Sequence, residues 1–141
     1  VKTLALSNGD LVMSAGSLQM LDGPAKIRQD IALALGENYG DDPYNPAWGS
    51  VLLRYIGEPI TDDTPMLIQA EVNRVLQQYI AQQQQKLNAA SLNNQQHTIS
   101  TSEIIRTVNA IDVSVQFDTI TVLINLTTMA GQTMTISRTV S

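Results

Sequence analysis

The sequence predicts an α+β domain on three observations. Helical periodicity covers residues 23–36, a second and longer helical pattern runs from Pro65 to about Leu87, and strict two-residue alternation fills the stretch from Ile111 to Val140. At 141 residues the chain is read as one domain, 1–141, in which 1–22 forms an N-terminal strand arm and 82–100 a polar Gln/Asn-rich connector.

In the arm, Leu4 and Leu6, Leu11 and Met13, then Leu18 and Met20 alternate with polar or small residues. Asn8-Gly9 suits a tight hairpin turn and Ala15-Gly16-Ser17 a second. Two or three short strands are expected, either as a small meander or as an extended arm laid on the domain. The first helix follows. Asp22 and Gly23 precede Pro24, whose fixed φ suits a first helical turn, and Gly36 follows Leu35 where a left-handed residue would end the helix. Ile27, Ile31, Ala34 and Leu35 share one face, while Lys26, Arg28, Gln29 and Asp30 spread over the rest, so the helix docks by one stripe.

After that helix, Gly36, Gly40, Pro43, Pro46 and Gly49 impose an irregular path to Ser50, and the single tryptophan, Trp48, lies inside it. An indole gains much from burial, so the loop is expected to fold back and plug Trp48 into the core; left outside, Trp48 would be an interface anchor. Residues 50–56 are too short and too uniformly apolar for periodicity to choose between helix and strand, and Gly57 and Pro59 end them either way.

Thr64 as N-cap with Pro65 behind it starts the second helix. Ile68, Val72, Val75, Leu76, Tyr79 and Ile80 form its apolar stripe. A helix from Pro65 to about Leu87 is on the order of 35 Å long, more than a domain of this size needs to cover its own sheet. The far end, carrying Tyr79, Ile80 and Leu87, is therefore expected to pack on another chain. The connector begins with Gln82–Gln85 and reads as a frayed helix end running into a surface loop, or as an extension that orders only against a neighbour. His97, the single histidine, has no second histidine, cysteine or spaced carboxylate to make it a metal ligand.

In the last third, Ile111, Val113, Val115 and Phe117 alternate with polar residues, as do Ile120, Val122, Ile124 and Leu126. Met129-Ala130-Gly131-Gln132 then turns the chain into Met134, Ile136 and Arg138. This pattern is a three-stranded antiparallel meander with one buried face. Residues 103–107 fit either a lead-in strand or a short helical turn. If the C-terminal strand, Thr133 to Val140, lies at the sheet edge, its outer N–H and C=O groups are open to a partner strand, and Arg138 is the one charge available to blunt it. Its outward positions are Thr133, Thr135, Ser137 and Thr139.

Composition narrows the function classes. The formal charge is −5 and no window concentrates Lys and Arg, which argues against a nucleic-acid partner. There is no cysteine, hence no disulfide, thiolate nucleophile or thiolate metal site. No apolar run approaches the roughly 20 residues that span a bilayer, and residues 1–9 turn polar too soon for a signal peptide, so a cytoplasmic place of assembly is expected without a membrane partner. Aromatic residues make up 4% of the chain, so the core must be aliphatic.

The run Ile27-Arg28-Gln29-Asp30-Ile31, a turn bounded by Gly36 and Gly40, and Asn45-Pro46-Ala47-Trp48-Gly49-Ser50 together resemble the lysozyme-like baseplate wedge family of contractile phage tails, which also has a member in type VI secretion baseplates. The structural motif carried by the resemblance is Gly36, Gly40, Asn45, Pro46, Trp48, Gly49 and Ser50. One departure stands out: family members often carry Glu-Pro-Arg at this turn, and here Glu37 is followed by Asn38 and Tyr39. The resemblance implies a structural subunit of the virion tail baseplate, assembled in the host cytoplasm. It implies other wedge proteins, hub or tube proteins and the tail sheath protein as partners, with sheath assembly begun by strand exchange. The sheath-facing surface would then be the edge at Thr133, Thr135, Ser137 and Thr139 with the neighbouring strand Thr119 to Leu126, and the wedge-partner helix would present Tyr79, Ile80 and Leu87.

The family's name raises a glycan hydrolase as the alternative, with a generic adaptor subunit as a third reading. A lysozyme-type reaction needs two carboxylates flanking a sugar cleft, one of them desolvated. Glu37, Asp41 and Asp42 stand near Tyr44 and Trp48, yet Asp41 and Asp42 before Pro43 are ordinary turn residues, and Glu37 just past a helix end faces water. No Gly-rich phosphate loop, nucleophile elbow or metal-ligand spacing is present. The sequence therefore predicts no catalytic residue, no metal and no cofactor.

Overall fold

The computed structural model describes residues 3–7, 10–11, 13–14, 17–18, 20–41, 43–44, 48–56, 58–93, 100–116 and 118–140. Six two-residue strands come first: β1 (Thr3–Leu4), β2 (Leu6–Ser7), β3 (Asp10–Leu11), β4 (Met13–Ser14), β5 (Ser17–Leu18) and β6 (Met20–Leu21). They pair antiparallel as β1 with β6, β2 with β3 and β4 with β5. The arm is thus neither a meander nor an extended strand. One outer ladder closes it, and two inner ladders flank positions 8–9 and 15–16, where the sequence places turns and which lie outside the described residues.

Helix α1 (Gly23–Gly36) follows. Asp22 makes no side-chain cap; the buried carboxylate of Glu103 takes its place, with Oε1 accepting the Gly23 N–H at 3.2 Å. A carboxylate there also meets the positive end of the helix. At the other end the expectation for Gly36 is corrected. Gly36 is not left-handed; it completes the last turn, and Glu37 caps it in extended backbone with its N–H on the Leu33 carbonyl at 3.0 Å. The missing side chain serves a tertiary purpose, since a Cβ on Gly36 would lie 2.6 Å from Nη2 of Arg138. Arg138 thereby brings to the C-terminal end of α1 the positive charge that its own last turn lacks.

The undecided stretch after the loop becomes a 3-10 turn, Leu52–Tyr55. Helix α2 then runs from Thr64 to Leu92, 29 residues or about 43 Å, five residues beyond Leu87 and straight through Gln82–Gln85. Its start is also corrected: Thr64 is the first helical residue rather than the N-cap, and its Oγ1 accepts the Thr61 N–H at 2.9 Å, tying down the chain that enters the helix. Beyond a second 3-10 turn, Thr101–Glu103, come β7 (Ile105–Gln116), β8 (Thr119–Thr128) and β9 (Thr133–Val140). They form the expected antiparallel sheet in the order β7-β8-β9. Residues 103–107 are therefore both things the sequence allowed, a turn and then a strand.

The core lies between the two helices and one face of this sheet. Ile27, Ile31 and Leu35 from α1, Ile68, Val72 and Leu76 from α2, Ile120, Ile124 and Leu126 from β8, and Ile136 from β9 are fully buried. Each such side chain contributes about 1.5–3 kcal/mol relative to exposure. The core is aliphatic, as the composition requires, and Trp48 is only half-buried against its margin. The expected plug is corrected accordingly: among the described residues of this stretch Gly49, Ser50 and Leu52 are buried, and the indole is not.

Candidate functional site

β9 is the surface that the sequence singles out most sharply. It pairs with β8 over eight consecutive residues, Thr133 to Val140, without a bulge, and takes no second strand among the described residues. Met134, Ile136 and Val140 face the core, and Thr133, Thr135, Ser137 and Thr139 are exposed on the other face. Arg138 is on the inner face with its guanidinium over Gly36, so the one charge that could guard this edge is turned inward. Beside β9, the outer face of β8 carries Thr121, Asn125 and Thr127 around Leu123, which is 42% exposed. Among the described residues no helix packs on that face.

The loop after α1 is organised by Ser50. Its Oγ donates to the Leu35 carbonyl at 2.8 Å, its N–H bonds the Glu37 carbonyl at 2.8 Å, and its own carbonyl accepts the Tyr39 N–H at 3.0 Å. These bonds join the end of α1 to the return of the loop in a parallel bridge between Asn38 and Ser50. Gly49 makes the approach possible: its φ is +102° and a Cβ would fall 2.7 Å from the Asn38 carbonyl oxygen. Gly40 turns the loop at φ +87° with open space around it. Asn45 and Pro46 of the same motif lie outside the described residues. Arg74 of α2 clamps the assembly from the side. It bonds the Gly49 carbonyl at 3.0 Å, pairs with Glu71 at 2.6 Å and lies 5.0 Å over the Tyr39 ring. The hydrogen bond to Glu71 raises the guanidinium pKa, partly countered by its burial. Glu71 in turn accepts the Val51 N–H at 3.0 Å.

On the far half of α2, Tyr79 is engaged inside the domain. It is 6% exposed and its hydroxyl donates to Asp30 at 2.8 Å, while Asp30 also takes Lys26 at 2.6 Å. Burial first, then the Asp30 carboxylate, push the Tyr79 phenol well above its usual range. A partner cannot use Tyr79 without dismantling this contact. Ile80 and Leu87 are half-buried, and Leu92 at the helix end is 86% exposed. Tyr79, Lys26, Lys86 and Glu103 line a cavity of about 40 Å³, room for a water rather than a sugar.

Of the carboxylates weighed for hydrolysis, Glu37 and Asp41 are exposed and share a shallow depression of about 370 Å³ with Gly36 and Asn38; Asp42 lies outside the described residues. His97 is outside them too. Among the described residues no three His, Cys, Asp or Glu side chains stand close enough to hold a metal ion.

Sequence reasoning missed Gln29 and Gln83. Gln29 takes the Leu6 N–H on Oε1 at 2.8 Å and gives its Nε2–H to the Leu4 carbonyl at 2.6 Å, fixing the N-terminal lobe to α1. Gln83 does the same to the Ile105 N–H at 2.9 Å and the Glu103 carbonyl at 2.6 Å.

No protein-family model and no curated protein sequence matches this chain. Its fold is similar to the crystal structure of a Geobacter sulfurreducens protein provisionally named a tail lysozyme, at 14% identity and a TM-score of 0.58 over 92% of this chain and 94% of the other. At that identity the likeness is one of fold: this chain has a tail-lysozyme-like α+β architecture.

Proposed function

We propose that this chain is a structural subunit of a contractile-tail baseplate wedge, joining other wedge proteins around the hub or tube and starting the sheath by strand exchange. The observation that carries the reading is the edge of β9: eight residues, unbulged, free of proline, and with its one charge turned inward. Strand addition needs such an edge, because affinity comes from main-chain hydrogen bonds and alternate side chains give the specificity. Support comes from the tail-lysozyme-like fold and from the Gly-bounded loop ending in Trp48-Gly49-Ser50. The protein then belongs to the virion tail, is assembled in the host cytoplasm, and needs neither catalysis nor a cofactor.

The test is Thr135→Pro, which removes a backbone donor and adds a ring at the middle of the edge. Baseplates carrying it should fail to polymerise sheath, while circular dichroism shows the isolated domain still folded. Normal sheath growth on that variant would sink the assignment of this edge.

A glycan hydrolase remains the competing reading, because the structural neighbour is named a lysozyme. It requires turnover of peptidoglycan that disappears with Glu37→Gln. The wedge reading requires no turnover from the unaltered chain, and its recovery in a large symmetric particle with wedge or sheath proteins. A generic adaptor would enter a complex without either.

A further inference from the structure

α2 and the outer edge of β7 bound an open groove of about 510 Å³. Every side chain that lines it is uncharged, on a chain whose formal charge is −5. Gln69, Asn73 and Gln77 follow one another at four-residue spacing on the helical wall, so their amides stand in a row. Val108 to Ile111 of β7 make the other wall. The Ile111 carbonyl points into the groove, since Gln69 Nε2 donates to it at 3.1 Å. In an antiparallel strand the N–H of a residue points to the same side as its carbonyl, so the Ile111 N–H faces the groove as well.

Elsewhere in the molecule the same side chain at a helix surface has a defined use. Gln29 holds Leu4 and Leu6, and Gln83 holds Glu103 and Ile105. In each case the amide N–H takes the carbonyl of one residue and the amide oxygen takes the N–H two residues on, as a neighbouring strand would. Gln69 makes half of this clamp, and its Oε1 has no partner among the described residues. Asn73 and Gln77 make no hydrogen bond among the described residues.

We propose that the groove between α2 and β7 is a binding site for an extended, uncharged peptide segment of another protein. The amides of Gln69, Asn73 and Gln77 and the N–H of Ile111 pair with its backbone, and its inward side chains rest on Met66, Ala70 and Val108. A charged inward residue would leave water for a neutral wall with no counter-ion, which selects against Lys and Glu at those positions. This site is distinct from the β9 edge and does not rest on the function proposed for that edge.

The probe is a capped hexapeptide alternating threonine and valine, titrated into the isotope-labelled full chain and followed by amide NMR. The expected result is saturable shifts at the Gln69, Asn73 and Gln77 side-chain amides and the Ile111 N–H. Binding should weaken about tenfold in the double variant Gln69→Ala, Gln77→Ala, as loss of two or three hydrogen bonds requires. A peptide with lysine in place of valine should bind at least as weakly. Both altered residues are exposed, and unshifted core resonances establish that the double variant is folded. Thr135→Pro should leave the groove shifts intact. Absence of shifts at those four positions, shifts confined to Thr133–Val140, or undiminished binding by the double variant would each overturn the proposal.

Discussion

β7 and β9 are the two outer strands of one sheet, and they are guarded very differently. Against β8, β7 carries an extra residue twice, at Arg106 and at Asn109, where the register shifts. Bulges of this kind twist an edge away from regular pairing. α2 packs along the same strand, Gln83 occupies its leading end and Gln69 caps the Ile111 carbonyl. The bulged Asn109 turns its amide to Asn125 and Thr127 at 2.9 Å each, so even the distortion is hydrogen-bonded. β9 also has a helix against it, α1, which meets it through Gly36 and Arg138, but it carries no bulge and, among the described residues, no side chain caps its outer main-chain groups. Regular main-chain groups run the full length of β9, whereas on β7 they are interrupted at Arg106 and Asn109, so a full-length strand fits β9 alone and the short segment proposed for the groove meets β7 at Ile111.

The largest expected effect removes what both edges share. Ile124 of β8 is fully buried between Ile111 and Ile136, its partners on the two outer strands. Ile124→Ala should cost about 3–4 kcal/mol, read as a lower denaturant midpoint, and should loosen β7 and β9 together. A loss below about 1 kcal/mol would mean that the two strands are anchored independently of β8.

Gln83→Ala acts on one side alone. It deletes two hydrogen bonds to the segment that leads into β7 and should destabilise the domain by about 1–2 kcal/mol. Amide exchange should accelerate at Ile105 and leave the amides of Thr133 to Val140 unchanged. Equal acceleration on both outer strands would show that the clamp is not specific to β7.

These asymmetries were legible in the sequence only in part. Period two gave the three strands, and chain order gave β9 its terminal place, because both are properties of neighbouring residues. What guards or exposes an edge depends on residues distant in the chain. Gln83 reads as one more member of a polar run, and its role appears only once α2 lies against residue 104. The run itself continues as helix to Leu92, since glutamine and alanine favour helix without needing an apolar stripe. Gly36 looked like a helix terminator because the partner that needs its missing side chain, Arg138, sits at the opposite end of the sequence. Ser50 and Gly49, by contrast, were marked by the loop motif, and both are central to the loop's hydrogen bonding.

The junction between the helices, beneath the sheet, sharpens the comparison through pH. Tyr79 has its phenol pKa raised by burial and by Asp30. The folded state therefore holds the proton more tightly than the unfolded chain, where the phenol titrates near 10.0. This contribution is complete below that pH and declines above it, because the unfolded chain then releases the proton while the folded state retains it. Denaturation midpoints should fall above about pH 10, and Tyr79→Phe should make that fall shallower. Since the Tyr79 hydroxyl bonds Asp30 of α1, the exposure of Thr133 to Val140 should not change over the range in which the domain stays folded. An identical alkaline profile for the two proteins would show that Tyr79 does not carry the effect.

The smallest effect on stability should be the most telling about function. Ser137 is exposed at the middle of β9, and Ser114 is exposed on β7. A lysine at either place stays in water, so Ser137→Lys and Ser114→Lys should each shift stability by less than about 0.5 kcal/mol. Their consequences for assembly should nevertheless differ. At Ser137 an incoming strand must bring its neighbours against a fixed ammonium on an otherwise uncharged edge, the means by which natural sheets refuse such partners. Ser114 lies on a strand whose bulges at Arg106 and Asn109 prevent full-length pairing, so no sheath strand is expected there and the charge has nothing to refuse. Sheath assembly should therefore fail with Ser137→Lys and proceed with Ser114→Lys, at matched denaturant midpoints. Reversal of that pattern would move the proposed sheath contact from β9 to β7, and equal failure of both would place the proposed contact on the outer face of the sheet, whose side chains the two strands present in common.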